Sequence, residues 1–141
     1  MKIGYADMLA DLFHWGHVNF IRQCKSHCDY LIIGILQDSD IARFKRPPVM
    51  TTEERVKVVD VIKYVDEVQV IPFGYYRNEK MLEKLVKEKS INIWFHGDDR
   101  IDPVPQEYIE SVGGKAIFIP YTYGVSSTEI IERVKSRSAC S

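Results

Sequence analysis

Five short runs of apolar residues punctuate the chain, and each is followed by a longer stretch in which apolar and polar positions recur with a helical period. The runs are KIGYA (2–6), YLIIGIL (30–36), EVQVIP (67–72), INIWFH (91–96) and KAIFIP (115–120). The periodic stretches cover 16–27, 52–63, 78–89, 104–112 and 127–137. Strand-length runs alternating with helix-length amphipathic segments predict βαβ units on a parallel sheet. Four of the five runs are nearly continuous in apolar residues, which predicts strands covered on both faces. Pro103 and Pro105 suit the first turn of the fourth helix, where a missing N–H costs little. With right-handed crossovers the elements give an α/β fold, a doubly wound, Rossmann-like parallel sheet. Ligands of such sheets sit at the carboxyl ends of the strands, where the strand order reverses.

Size and charge narrow this picture. At 141 residues, 45% hydrophobic and 28% charged, the chain suits one domain, taken as 1–137, followed by a polar tail, 138–141, that is expected to fray. A net charge of −1 supplies no global field, so neither nucleic acid nor a membrane is expected as a partner, and any bound anion must be held by a built site. No apolar run approaches the ~20 residues of a membrane span, and the N-terminus lacks a signal-peptide pattern; a cytoplasmic protein is expected. Cys24 and Cys28, one helical turn apart, suit reduced thiols, with Cys24 facing the core.

The candidate chemistry begins with LADLFHWGHVNF (9–20), where the first strand hands over to the first helix. His14 and His17 flank Gly16 there. Two imidazole N–H donors and a helix N-terminus can converge on one anion, and Gly16 permits close backbone approach. Two other readings stay open: His14 as a core or capping histidine, and the pair as a metal site. An isolated H-x-x-H does not specify zinc, and no metal ligand is assigned.

RFKRPPVMTTEER (43–55) brings Arg43, Lys45 and Arg46 to the same rim. Thr51 and Glu54 have capping-box spacing, which explains them but not the three bases; those suit a polyphosphate. After the last strand, Ser126 and Glu129 repeat the capping-box spacing. Ser126, Ser127 and Thr128 also offer hydroxyls and helix N-terminal N–H groups to a second anionic group. HGDDR (96–100) sets acidic residues where they can accept hydrogen bonds from ribose hydroxyls or a base amino group. These parts describe a nucleoside triphosphate site without an evident nucleophile or general base. A phosphate or phosphonate acceptor needs neither, because its oxygen is already largely ionised near neutral pH and can attack the α-phosphate directly. The protein then has to align the partners and stabilise developing charge.

The blocks YAD (5–7), DLFHWGH (11–17), CDYLIIGI (28–35), KRPPVMTTEER (45–55), IKYVDEV (62–68), HGDD (96–99) and GVSSTEI (124–130) follow one another in an order that resembles the cytidylyltransferase family. This family of H-x-G-H nucleotidyltransferases includes glycerol-3-phosphate, phosphocholine and phosphoethanolamine cytidylyltransferases. The resemblance implies a nucleotidyltransferase that moves CMP from CTP to a small organic phosphate or phosphonate. It implies that His14 and His17 stabilise the pentacovalent α-phosphate, that Lys45 contacts the phosphates of both substrates with Arg46 beside it, and that Arg55 supports this catalytic group. Asp11 and Gly16 fall in the first nucleotide-binding motif. Gly97, Asp98 and Asp99 match the cytidine-recognition segment, and Thr122, Gly124, Val125, Ser126, Ser127 and Thr128 match the signature that holds the triphosphate. Magnesium bound with CTP, and a homodimer with 64–68 near its interface, are implied in the same way.

Three positions depart from the family pattern. Met8, Leu9 and Ala10 replace G-[TC]-F, which predicts a reshaped first loop. Tyr121 replaces an arginine, so that a triphosphate contact is missing or is supplied by a base such as Arg43 or Arg100. Lys63 replaces an arginine before YVDEV, a mild change. Two rival readings accompany the leading one: an adenylyltransferase of the same fold that uses ATP, and a nucleotide-binding homologue without catalysis.

Overall fold

The computed structural model describes residues 1–38, 47–72, 74–97, 103–120, 122 and 124–139. Each apolar run forms a strand and each periodic stretch a helix. In chain order these are β1 (Ile3–Met8), α1 (Trp15–Lys25), β2 (Tyr30–Leu36), α2 (Thr52–Asp60), β3 (Glu67–Ile71), a 3₁₀ turn (Tyr75–Arg77), α3 (Glu79–Lys89), β4 (Ile93–Gly97), α4 (Pro103–Ser111), β5 (Lys115–Ile119) and α5 (Ser127–Ala139). β1 outruns its apolar stretch by two residues. Parallel pairing, not hydrophobicity, sets its end: Asp7 lies opposite Gly34 and Met8 opposite Ile35, which carries an acidic side chain to the sheet's carboxyl edge.

All neighbouring strands are parallel, in the order β3-β2-β1-β4-β5. The chain works outward from central β1 to β3, then returns to β4 beside β1, so strand order reverses between β1 and β4. Alternation along β2 assigns the two faces. Leu31, Ile33 and Ile35 pack with Ile21 and Cys24 of α1 and Val59 of α2. Ile32 and Leu36 pack on the other face with Tyr75, with Leu82 and Val86 of α3, and with Ile109 of α4. Each such aliphatic side chain, once fully buried, contributes about 1.5–3 kcal/mol.

Coverage of both faces holds for β2 and for the middle of β1. It does not extend to the edges, where Val70 of β3 is 44% exposed and Phe118 of β5 is 48% exposed. Each edge strand pairs along one side and lies at the margin of the helical layers. Cys24 is fully buried and Cys28 partly so, both as free thiols. The YVDEV block serves the fold from within. Asp66 accepts from the Leu31 N–H at 2.8 Å and from Lys25 Nζ at 2.6 Å, while Tyr64, Val65 and Val68 pack against the core. Among the described residues no helix is long and apolar enough to cross a membrane.

Candidate active site

The connection from β1 to α1 follows a strained course. Ala10 and Leu12, neither of them glycine, hold φ at 59° and 49°. Such left-handed residues persist only where their surroundings enforce them, and here a set of polar contacts does so. The Asp11 carboxylate is buried and accepts from the N–H groups of Val49 and Met50 at 2.9 and 2.8 Å. Arg55, fully buried in the first turns of α2, donates through Nη1 to the carbonyls of Leu9 and Leu36 at 2.8 and 2.7 Å. Its Nε donates to the Met50 carbonyl at 3.1 Å, and its Nη2 to Thr52 Oγ1 at 3.2 Å. One guanidinium thus ties together the carboxyl ends of β1 and β2 and the approach to α2. The capping box of α2 closes that approach, with Thr51 and Glu54 each bonding the other's backbone N–H.

On this base stands α1, whose own cap is made of the two histidines. His14 is the N-cap, and its Nδ1 accepts from the Gly16 N–H at 3.0 Å. The His14 N–H donates to His17 Nδ1, also at 3.0 Å. With both Nδ1 atoms accepting from backbone, each neutral ring carries its proton on Nε2. The ring centroids lie 4.0 Å apart, and Phe13 stacks on His17 at 5.1 Å. Burial lowers the pKa of both. For His17 burial comes first, proximity to His14 adds to it, Asp11 opposes it, and the value falls to about 4. Near neutral pH the pair is therefore two uncharged Nε2–H donors. Gly16 exists to admit this arrangement: a Cβ there would stand 2.7 Å from His14 Cε1.

The N-terminus of α5 adjoins that of α1. Gly124 turns the chain with φ +89°, and Val125 reaches within 3.4 Å of where a Gly16 Cβ would be. Ser126 caps α5, its Oγ accepting from the Glu129 N–H at 3.1 Å. Ser127 donates its hydroxyl to the Asp11 carbonyl at 2.8 Å, and Thr122 Oγ1 accepts from Asn19 of α1 at 3.0 Å. Thr128 is exposed on the first turn of α5, and half-buried Gly97 closes β4 opposite Ile119.

Of the expected site residues, then, His14, Gly16, His17, Val125 and Ser126 come together at two neighbouring helix N-termini. Three others hold the frame. Arg55, implied by the resemblance to support the catalytic group, lies beneath the loop with its donors on protein oxygens. Asp11 serves the 49–50 backbone with both carboxylate oxygens, and the one hydroxyl proton of Ser127 goes to a carbonyl. Lys45, Arg46, Asp98 and Asp99, and with them Arg43, Arg100 and Tyr121, lie outside the described residues. Among the described residues no three His, Cys, Asp or Glu side chains converge as a metal cage.

Sequence reasoning passed over one group. The Tyr75 hydroxyl lies 2.8 Å from Asp7 Oδ2 and 2.7 Å from Tyr5 Oη. The available signal was the Asp in YADM, a carboxylate at the carboxyl end of an otherwise apolar central strand.

Comparison with known proteins fits this geometry. Residues 9–133 match the family model described as Cytidylyltransferase-like. The ethanolamine-phosphate cytidylyltransferase of Arabidopsis thaliana is 35% identical over 133 residues, covering 92% of this chain and 31% of that protein. The "Bifunctional protein HldE" of Hyphomonas neptunium is 29% identical over 136 residues, covering 94% of this chain and 27% of that one. The chain thus spans about a third of the length of the curated relatives it matches. Among solved structures, a lipopolysaccharide core biosynthesis protein from Thermoplasma volcanium superimposes with a TM-score of 0.69 at 21% identity, covering 89% of this chain and 99% of that one, and so shares the fold. By its sequence match over nearly its whole length, the chain belongs to the cytidylyltransferase-like family.

Proposed function

We propose that this domain transfers CMP from CTP to phosphoethanolamine or a closely similar small phosphate or phosphonate, releasing pyrophosphate. The observation that carries this reading is the His14–His17 pair, two Nε2–H donors fixed by backbone hydrogen bonds at a helix N-terminus that adjoins a second one. An acceptor phosphate oxygen attacks the α-phosphorus of CTP. The bond from that phosphorus to the bridging oxygen breaks, and pyrophosphate leaves with the electron pair. No base is required, since the acceptor's second ionisation lies at about pH 6. The two imidazoles donate to α-phosphate oxygens as charge builds on them, where fixed donors stabilise the transition state without reorganisation. The α5 N-terminus, with Ser126 and Thr128, receives the β- and γ-phosphates. Lys45 and Arg46 bring positive charge to both substrates, and Gly97, Asp98 and Asp99 read the cytosine. Arg55, Asp11 and Ser127 act by positioning.

An ethanolamine acceptor also presents an ammonium group, which calls for a carboxylate at the crevice. Asp7, at the carboxyl end of β1 beside the strand-order reversal, is assigned that role. Magnesium enters as the counter-ion of CTP. With no cage of protein ligands among the described residues, the triphosphate and water would hold most of its coordination sphere, as is usual for this ion. A homodimer belongs to the same proposal and is tested by sedimentation.

The enzymatic test is pyrophosphate release from CTP with magnesium across phosphoethanolamine, phosphocholine, glycerol-3-phosphate and several small phosphonates, with ATP in parallel. A CTP-selective signal with an amine-bearing acceptor is expected. A preference for ATP would overturn the nucleotide assignment, and CTP binding without turnover on any acceptor would favour a non-catalytic nucleotide binder.

A further inference from the structure

Met50 turns every polar atom it has toward the first β–α loop and the groups that anchor it. Its N–H donates to Asp11 Oδ1 at 2.8 Å, and its carbonyl accepts from Arg55 Nε at 3.1 Å. Its Sδ accepts from the Leu12 N–H at 3.2 Å. The first two bonds hold residue 50 itself in place. The third lands on the loop at one of its strained points, since Leu12 keeps a left-handed φ of 49°. Leu12 stands between two fixed groups. Before it, the Asp11 carboxylate is held by the Val49 and Met50 N–H groups; after it, Phe13 stacks on His17 and His14 caps α1. Rotation about the Leu12 backbone would swing that cap while leaving the bonds of the Asp11 carboxylate and of Arg55 intact. Among long aliphatic side chains only methionine carries an acceptor, and here it does so on a half-buried, apolar stem.

We propose that Met50 is a positioning residue whose thioether, by holding the Leu12 N–H, fixes the loop in the course that lets His14 and His17 cap each other. Its effect on turnover rests on the reaction proposed above, to which it adds a residue that acts only through the histidines. The two imidazoles keep their protons on Nε2 because both Nδ1 atoms accept from backbone, His14 from the Gly16 N–H and His17 from the His14 N–H. A loop that drifts at Leu12 therefore loses more than distance. It frees the His14 ring to take its other tautomer, whose Nε2 is an acceptor and repels a phosphate oxygen. A neutral thioether accepts weakly, which is enough to choose one course for a loop already anchored on both sides. Misplacing a catalytic group by about 1 Å can cost about 100-fold in rate, and the partial drift allowed by losing one weak bond should cost about tenfold.

The test is Met50→Leu, which nearly conserves the apolar volume and removes the acceptor. Amide hydrogen exchange followed by NMR reads the bond itself. The Leu12 N–H should exchange about tenfold or more faster in the variant, while the N–H groups of residues 49 and 50, bonded to Asp11, keep their protection. Nitrogen-15 shifts of the imidazoles read the consequence: wild type should show His14 as a single Nε2–H tautomer, and the variant a mixture of the two. With CTP, magnesium and phosphoethanolamine, kcat should fall about tenfold with KM for CTP unchanged, a split that loss of packing alone would not produce. Equal exchange of Leu12 in the two proteins would overturn the thioether bond. Faster exchange with His14 still a single tautomer, or with kcat unchanged, would overturn the positioning role. A wild type that turns over no acceptor would strike the proposed reaction instead, and the exchange and tautomer measurements would still decide whether Met50 sets the histidines.

Discussion

His17 concentrates three demands on one side chain: it accepts the His14 N–H, it stacks on Phe13, and it keeps its proton on Nε2 as a donor. Because burial takes its pKa from 6.5 to about 4, the unfolded chain binds more protons than the folded one between those values. Stability should therefore fall as pH drops through that window, by at most about 1.4 kcal/mol per pH unit from this group. Urea denaturation at several pH values checks this: the midpoint of wild type should decline more steeply than that of His17→Gln, and parallel declines would contradict the assignment. The same residue should matter far more to rate than to fold. His17→Ala should reduce turnover by about 100-fold or more with little change in KM for CTP, since its bond strengthens only as charge builds. Gly16→Ala tests the cap. The added methyl must displace the His14 ring, so steady-state assays should show turnover lost while circular dichroism stays near that of wild type. The H-x-G-H residues were legible as a candidate anion site, and His14 as a capping histidine in the alternative reading, but not the reciprocal way in which each histidine caps the other. That depends on side-chain rotation at a helix start, which the spacing alone does not determine.

At the scale of elements, the alternation of apolar runs and amphipathic stretches was enough to place each strand and α-helix among the described residues, because parallel strands buried by helices leave a strong hydrophobic signature. What it could not place were features decided by pairing across the sheet. β1 extends through Asp7 because Gly34 faces it, and the edge strands leave Val70 and Phe118 exposed because they have neighbours on one side only. Arg55 shows the same limit. The resemblance implied that it supports the catalytic group, but not how, because the three carbonyls it satisfies belong to three different segments of the chain. Arg55→Met should consequently act on the scaffold first. Leaving those buried carbonyls without donors should cost about 3 kcal/mol or more, read as a lowered urea midpoint, with activity failing alongside stability. A variant of native stability would contradict this scaffold role.

For the whole molecule, the strand order brings the first β–α loop, the approach to α2 and the start of α5 to the carboxyl edge of one sheet, although they are spread from residue 7 to residue 128. Asp11 and Arg55 lock the first two together, and Ser127 fastens the third. The result is a frame that sets two uncharged imidazoles at the N-terminus of α1 beside the start of α5. The proposed reaction forms a phosphorus–oxygen bond there between the acceptor and the α-phosphate of CTP. Phosphorus-31 NMR of magnesium, CTP, phosphoethanolamine and the protein follows that bond directly. The expected spectrum loses the triphosphate and phosphomonoester signals together and gains, in equal amounts, pyrophosphate and an unsymmetrical diphosphate ester. Persistence of the phosphomonoester while CTP is consumed, or no change in either, would contradict the claim.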